Sequence, residues 1–251
     1  KDDSDTLPLL KDRALNDQNW DVRWAAVQEI AKGWKDDSDT LPLLKDRALN
    51  DQNYDVRRAA VQEIAKGWND DSDTLPLLKD RALNDQNEYV RMAAVQEIAK
   101  GWKDDSDTLP WLKDRALNDQ NANVRRAAVQ EIAKGWKDDS DTLPWLKDRA
   151  LNDQKYDVRS AAVQEIAKGW KDDPQTFDFL CDRAIHDPFK REEGWEYNPR
   201  QTALKAILEH YSDKPQTFEL LKIVSNNDPD EQLREFAKEE LAKLSENPVG
   251  A

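Results

Sequence analysis

Few side chains in this 251-residue chain could carry chemistry: one cysteine, Cys181, and two histidines, His186 and His210. A cysteine nucleophile needs a base beside it, and Cys181 precedes His186 by five residues, a spacing that does not align side chains on a helix. Cys181 therefore reads as a small buried hydrophobe. Recurring Asp-Asp-Ser-Asp runs, such as Asp36-Asp37-Ser38-Asp39, raise the question of calcium. An EF-hand loop requires a Gly at its sixth position and a Glu at its twelfth, and neither stands there. The runs read instead as helix starts, with Ser4 or Asp5 of Asp2-Asp3-Ser4-Asp5 capping free N–H groups. No phosphate-binding glycine loop, dinucleotide fingerprint, nucleophile elbow or zinc spacing occurs in the chain. The expectation is a non-enzyme that holds no metal and no cofactor.

Composition narrows the partners. The chain is 36% charged and 38% hydrophobic with a formal net charge of −14, so it has apolar material for a core and a strongly acidic balance. Nucleic-acid binders concentrate Lys and Arg to displace counterions, and the sign here is opposite. No apolar run approaches the roughly 18 residues of a membrane span, and no charged-then-apolar leader opens the chain. One cysteine cannot form an internal disulfide, which fits a reducing compartment. A cytoplasmic protein that binds neither nucleic acid nor membrane is expected.

Trp34, Trp68, Trp102, Trp136 and Trp170 mark a strict period of 34 residues, making Lys1 to Trp170 five copies of one unit. Each unit reads as two helices. The first has Pro8 in its opening turn, where a missing N–H does no harm, and places Leu7, Leu10 and Ala14 on one face with Leu15 at its margin. Asn16 to Asn19 turn the chain, Asn19 or Asp21 caps the second helix, and Gly33 stops it where a positive φ is favoured. The second helix places Val22, Ala26, Val27, Ile30 and Trp34 in one arc, the core stripe.

Almost everything is constant between copies except the residues that open this second helix, and these fall on the side opposite the core stripe. They include Trp20, Trp24, Tyr54, Arg58, Glu88, Tyr89, Met92, Asn123, Arg126, Tyr156 and Ser160. Drift on a wet face would leave mostly Lys, Glu and Ser, whereas aromatics, Met and Arg are the types enriched at interface hot spots. Stacked units would line them into a stripe that contacts a protein or peptide partner. The change of Leu9, Leu43 and Leu77 to Trp111 and Trp145 is equally compatible with packing at a helix margin.

The last third is a degenerate continuation. Pro174-Gln175-Thr176-Phe177 and Pro215-Gln216-Thr217-Phe218 restart the unit 41 residues apart, with seven extra residues in the turn between Asp187 and Pro199. The domain reading is thus five near-identical repeats over 1–170 and two divergent repeats over 171–251. The second part carries a projecting loop at 188–198 and a Lys- and Glu-rich helix, Glu231 to Leu244, as a cap. No equivalent cap precedes Lys1, so Leu7, Leu10 and Val22 are expected to favour self-association. A start at a repeat boundary without Met suggests a part of a larger protein or an engineered chain.

A 34-residue period also belongs to tetratricopeptide repeats, but their W-x-x-L-G-x-x-Y opening is missing, as is the ankyrin T-P-L-H. A Pro early in the first helix, an Asp at the turn and an Arg six residues later, as in Pro8, Asp17 and Arg23, resemble a HEAT repeat. That resemblance implies an all-α, elongated, right-handed α-solenoid of seven helix pairs. It further implies that Asp17/Arg23, Asp51/Arg57, Asp85/Arg91, Asp119/Arg125 and Asp153/Arg159 join neighbouring repeats by hydrogen bonds. Units of the type AVQEIAKGWKDDPQTF resemble those behind bacterial, especially cyanobacterial, NACHT-type NTPase domains, which implies the sensor part of a signalling or defence NTPase. Two alternatives stay open: a designed or library-selected repeat binder, and a HEAT-like protein of the bilin lyase type, which handles a tetrapyrrole.

Overall fold

The structure, a computed structural model, describes residues 5–246, and among them are fourteen α-helices and no strand. In chain order they are α1 Thr6–Asn16, α2 Trp20–Gly33, α3 Thr40–Asn50, α4 Tyr54–Gly67, α5 Thr74–Asn84, α6 Glu88–Gly101 and α7 Thr108–Asn118. Then follow α8 Ala122–Gly135, α9 Thr142–Asn152, α10 Tyr156–Gly169, α11 Thr176–His186, α12 Pro199–Tyr211, α13 Pro215–Asn227 and α14 Glu231–Glu246. The chain forms two compact units, Lys1–Glu131 and Ile132–Ala251, whose boundary falls inside α8. Each is an all-α arrangement of antiparallel helix pairs of the solenoid type.

In the first unit α3 pairs with α4 and α5 with α6, while second helices pack on second helices, α2 on α4 and α4 on α6. Val56, Ala60, Val61 and Ile64 of α4 are fully buried together with Leu44 and Ala48 of α3. Each such Val, Leu or Ile contributes about 1.5–3 kcal/mol by leaving water, which is why these letters never change between copies. The second unit repeats the plan, with Leu146, Ala150, Val158, Ala162 and Ile166 fully out of water or nearly so and α10 packed on α12. At the start of the first unit the core is thinner. Leu10 and Val22 are only half-buried, although Leu44 and Val56 at the equivalent positions of the next repeat are fully buried; Leu7 is half-buried, as is its equivalent Leu41. Trp34 is half-buried as well, so it borders the core stripe instead of belonging to it.

Helix ends differ from the expectations in two ways. Asp5, Asp39 and Asp73 stand at the N-cap but make no side-chain cap bond, because their own backbone is already helical. The ordering acid is two residues earlier: the Asp37 carboxylate accepts the Asp39 N–H at 3.1 Å, and Asp71 accepts from Asp73 at 3.1 Å. Asp2, Asp3 and Ser4 lie outside the described residues. Second, Gly33 and its equivalents are the last helical residues with no positive φ, and a Cβ added to any of them would meet nothing within 4 Å. The chain leaves the helix at the next residue, where Trp34 has φ −134° and ψ 45°.

The second helices are capped by Asn19, Asn53, Asn87 and Asn121, whose side chains accept the N–H two residues on at 2.7–2.9 Å. In the fifth copy that residue is Lys155, and the cap bond is missing. Restoring it by Lys155→Asn should raise stability by about 1 kcal/mol, read as a higher urea midpoint at unchanged slope; an unmoved midpoint would show that the cap is dispensable. Gly67→Ala, which needs no strained backbone and meets open space, should raise it by about 0.4–1 kcal/mol. A loss there would mean that Gly67 has a role the geometry does not reveal.

Candidate protein interface

The face that carries the variable residues begins at the turn between the two helices of each pair, and one ion pair fixes that turn. Arg57 Nε donates to Asp85 Oδ2 and its Nη2 to Asp85 Oδ1, each at 2.8 Å, while Nη1 donates back to the Asp51 carbonyl at 2.8 Å. The guanidinium thus closes its own turn and grips the turn of the next repeat. In the first unit Arg23 holds Asp51 in the same way at 2.8 Å through both nitrogens, and Arg91 holds Asp119 at 3.1 Å. In the second unit Arg159 holds Asp187 at 2.7 and 2.8 Å. Asp17 pairs with Arg13 and receives Arg23 on its carbonyl; Arg125 donates to the Asp119 carbonyl, and Asp153 accepts from the Lys155 N–H and, on its carbonyl, from Arg159.

Burial makes these pairs matter. Arg91 and Asp119 are almost wholly buried, so each needs its partner. Burial would push the Asp51 carboxyl up, yet the Arg23 guanidinium, the Asn53 N–H and the field of Arg47 outweigh it and hold Asp51 below the usual carboxylate range. The Asp85 carboxylate correspondingly raises Arg57.

The ladder continues past the insertion, where the sequence spacing conceals it. Arg200 in α12 donates to Asp228 at 2.7 and 3.0 Å, both groups buried. Within a repeat, Asp and Arg are 6 apart, but the inserted residues stretch that spacing to 13 for Asp187 and Arg200, which hides the motif. The spacing of 28 from each Arg to the next Asp survives, and it was the available signal.

The ladder and the Asn cap place the variable residues on the first two turns of each second helix. They are less exposed than a single-helix wheel predicts. Trp20 and Tyr89 are exposed, at 39% and 40% of their surface, but Trp24, Tyr54, Arg58, Glu88, Met92, Asn123, Arg126, Tyr156 and Ser160 are half-buried. The cause is the neighbouring helix. Tyr54 of α4 stacks on Tyr89 of α6 with ring centroids 5.8 Å apart, so residues from adjacent copies cover one another. Arg58 pairs with Asp55 one turn away at 2.8 Å. In the second unit the Ser160 hydroxyl is buried without a partner, and the Tyr156 ring packs edge-on against Phe189 at 5.1 Å.

Phe189 belongs to the inserted segment, which is anchored rather than freely projecting. Phe189 is buried, and its carbonyl accepts from Arg200 at 2.8 Å. Arg191 pairs with Asp230 at 2.8 Å and donates to the Glu196 carbonyl, and the Asn198 amide donates to Asp230 at 2.7 Å. Burial opposes ionisation of Asp230, but Arg191 and Asn198 prevail and keep it low. Beside this segment lies a cleft of about 710 Å³ lined by Ile185, Phe189, Glu193, Arg200 and Pro229 among others.

Cys181, His186 and His210 each have their own neighbours. The Cys181 thiol is pushed up to about 11 by burial and by Asp178, so it is a poor nucleophile at neutral pH. His186 is bonded to Asp182 at 2.8 Å, and His210 lies edge-on to Tyr211. Among the described residues no group of His, Cys, Asp and Glu could hold a metal ion, and no helix is long and apolar enough to cross a membrane.

A family model described as HEAT repeats matches residues 7–99 and 109–196. No curated protein matches the chain. Among solved structures, the X-ray structure of YibA from Escherichia coli is similar, with 18% identity over 97% of each chain and a TM-score of 0.44.

Arg91→Met should lower stability by about 3 kcal/mol, because it strands a buried carboxylate; the control is Gln96→Ala on the same helix, and equal losses for the two would disprove the ladder's weight. Asp51 and Asp230 have depressed folded pKa values, so their contribution is complete above about pH 4 and is lost as pH falls through the lower folded values. Urea midpoints should accordingly stay level from neutral pH down to about 5 and drop below about 4. A midpoint that rises in acid would contradict the ion-pair account.

Proposed function

Since the chain belongs to the HEAT-repeat family, we propose that it is a non-enzymatic module that binds a protein or peptide through the variable face of its second helices. The observation that carries this reading is the Tyr54–Tyr89 stack, flanked by Trp20, Trp24, Arg58 and Met92, on helices whose buried residues do not vary. Half-buried rings held by neighbours are preorganised, so little side-chain entropy is lost when a partner covers them. They also combine apolar area with polar edges, the chemistry of interface hot spots. The raised Cys181 thiol supports the non-enzymatic reading. A finer proposal is that the module is the sensor part of a bacterial NTPase of the NACHT type, and the support for it is the likeness of the AVQEIAKGWKDDPQTF units.

The test pairs binding with melting. A partner captured from lysate on the immobilised full chain is identified, and its affinity is measured for the wild type and for Trp24→Ala and Tyr89→Ala. Each substitution should weaken binding by about 2 kcal/mol or more. Val56→Ala, at a fully buried position, should lower the melting temperature first. If the aromatic variants bind as the wild type does, or melt as Val56→Ala does, the face is packing and the proposal fails.

A further inference from the structure

The inserted segment of the second unit has two parts with different jobs. Phe189, Arg191, Asn198 and Arg200 fasten it to Asp228 and Asp230. Between these anchors lies a tight turn, in which the Glu196 N–H donates to the Glu193 carbonyl at 3.1 Å. The Glu196 carboxylate accepts the N–H groups of Glu192 and Glu193 at 2.7 and 2.9 Å, which holds its carboxyl below the usual carboxylate range and locks the turn from within. Gly194 and Trp195 form the tip.

What this rigid turn displays is unusual for a structural loop. Trp195 and Tyr197 are 72% and 74% exposed, and no other large hydrophobic side chain described exceeds the 54% of Leu9. They are not needed to hold the segment, because the anchors are elsewhere. The charges of the cleft that meets this turn at Gly194 are one-sided. Arg191 and Arg200 are consumed by Asp230 and Asp228, which leaves Glu192, Glu193 and Glu231 against Lys190 along it. An aromatic ring beside carboxylates is the chemistry that recognises a cation. A planar guanidinium fits it best, stacking on a ring while pairing with a carboxylate. The chain's net charge of −14 draws such a partner in from a distance.

We propose that the turn bearing Trp195 and Tyr197, with Glu192 and Glu193, is a second recognition site, which takes an arginine-bearing segment of a partner protein. The site lies wholly within the second unit and does not depend on the face around Tyr89. Preorganisation by the anchors is what lets so small a surface bind, because the loop has little freedom left to lose.

The probe is a blocked peptide with two arginines separated by glycine, titrated calorimetrically into the full chain beside a twin with glutamine in place of arginine. The arginine peptide should bind about tenfold more tightly than its twin, with an affinity that falls as salt is added. Trp195→Ala should weaken it about threefold to tenfold, and the double change Glu192→Gln with Glu193→Gln should weaken it and flatten the salt dependence. Tyr89→Ala should leave it unchanged, so a failure here is separable from a failure of the other face. The turn variants, Trp195→Ala and the double glutamate change, should melt as the wild type does, because the anchors are intact. Equal binding of the two peptides, wild-type binding by the turn variants, or a loss confined to Tyr89→Ala would overturn the proposal.

Discussion

The arginine that closes its own turn and grips the next one is the interaction on which the rest depends. A repeat of two short helices cannot bury its apolar face alone, so neighbours must stack in one relation to each other. Hydrophobic contact is non-directional and leaves room for adjacent second helices to slide. A bidentate guanidinium–carboxylate pair is directional, and losing one partner of a buried pair strands the other charge. By tying Arg57 to both the Asp51 carbonyl and the Asp85 carboxylate, the chain sets the spacing of adjacent repeats at the residue where the second helix begins. The first two turns of that helix then occupy a defined place, and those turns are where sequence variation is concentrated.

That geometry explains why variation is tolerated there and yet is not free. Side chains at these positions lean on the next copy, as Tyr54 does on Tyr89, so each is half a packing residue and half a surface residue. A fully exposed stripe would pay more entropy to order on binding; a fully buried one would offer no surface.

The inserted segment shows the same logic with different parts. Where the spacing within the repeat is interrupted, Arg200 still reaches both the Asp187 carbonyl and Asp228, so the ladder passes under the insertion undisturbed. The extra residues are bound to the turn by Arg191 and Asn198 and cover Tyr156 with Phe189. Exposure lost at Tyr156 reappears at Trp195 and Tyr197, carried by a turn that its own Glu196 makes rigid.

By itself the sequence determined the helix pairs, their length and the buried letters apart from Trp34, because these follow from local periodicity, turn chemistry and the 34-residue repeat. The caps of the second helices were legible as Asn19 or Asp21, and the structure selects the Asn. Tertiary structure alone decided three things. It decided how exposed Trp24, Tyr54 and Tyr156 are, since that depends on a neighbour no helical wheel contains. It assigned the Asp-Asp-Ser-Asp runs their ordering acid, Asp37 in place of Asp39, because the N-cap backbone turns out to be already helical. And it placed the loop 188–198 against Asp228 and Asp230, which are distant in sequence, turning an apparent projection into an anchored turn. In the first and third cases the deciding contact joins residues of different repeats, and local pattern carries no record of which residues those will be; in the second it lies within the run, two residues apart, and depends on the backbone already being helical at Asp39.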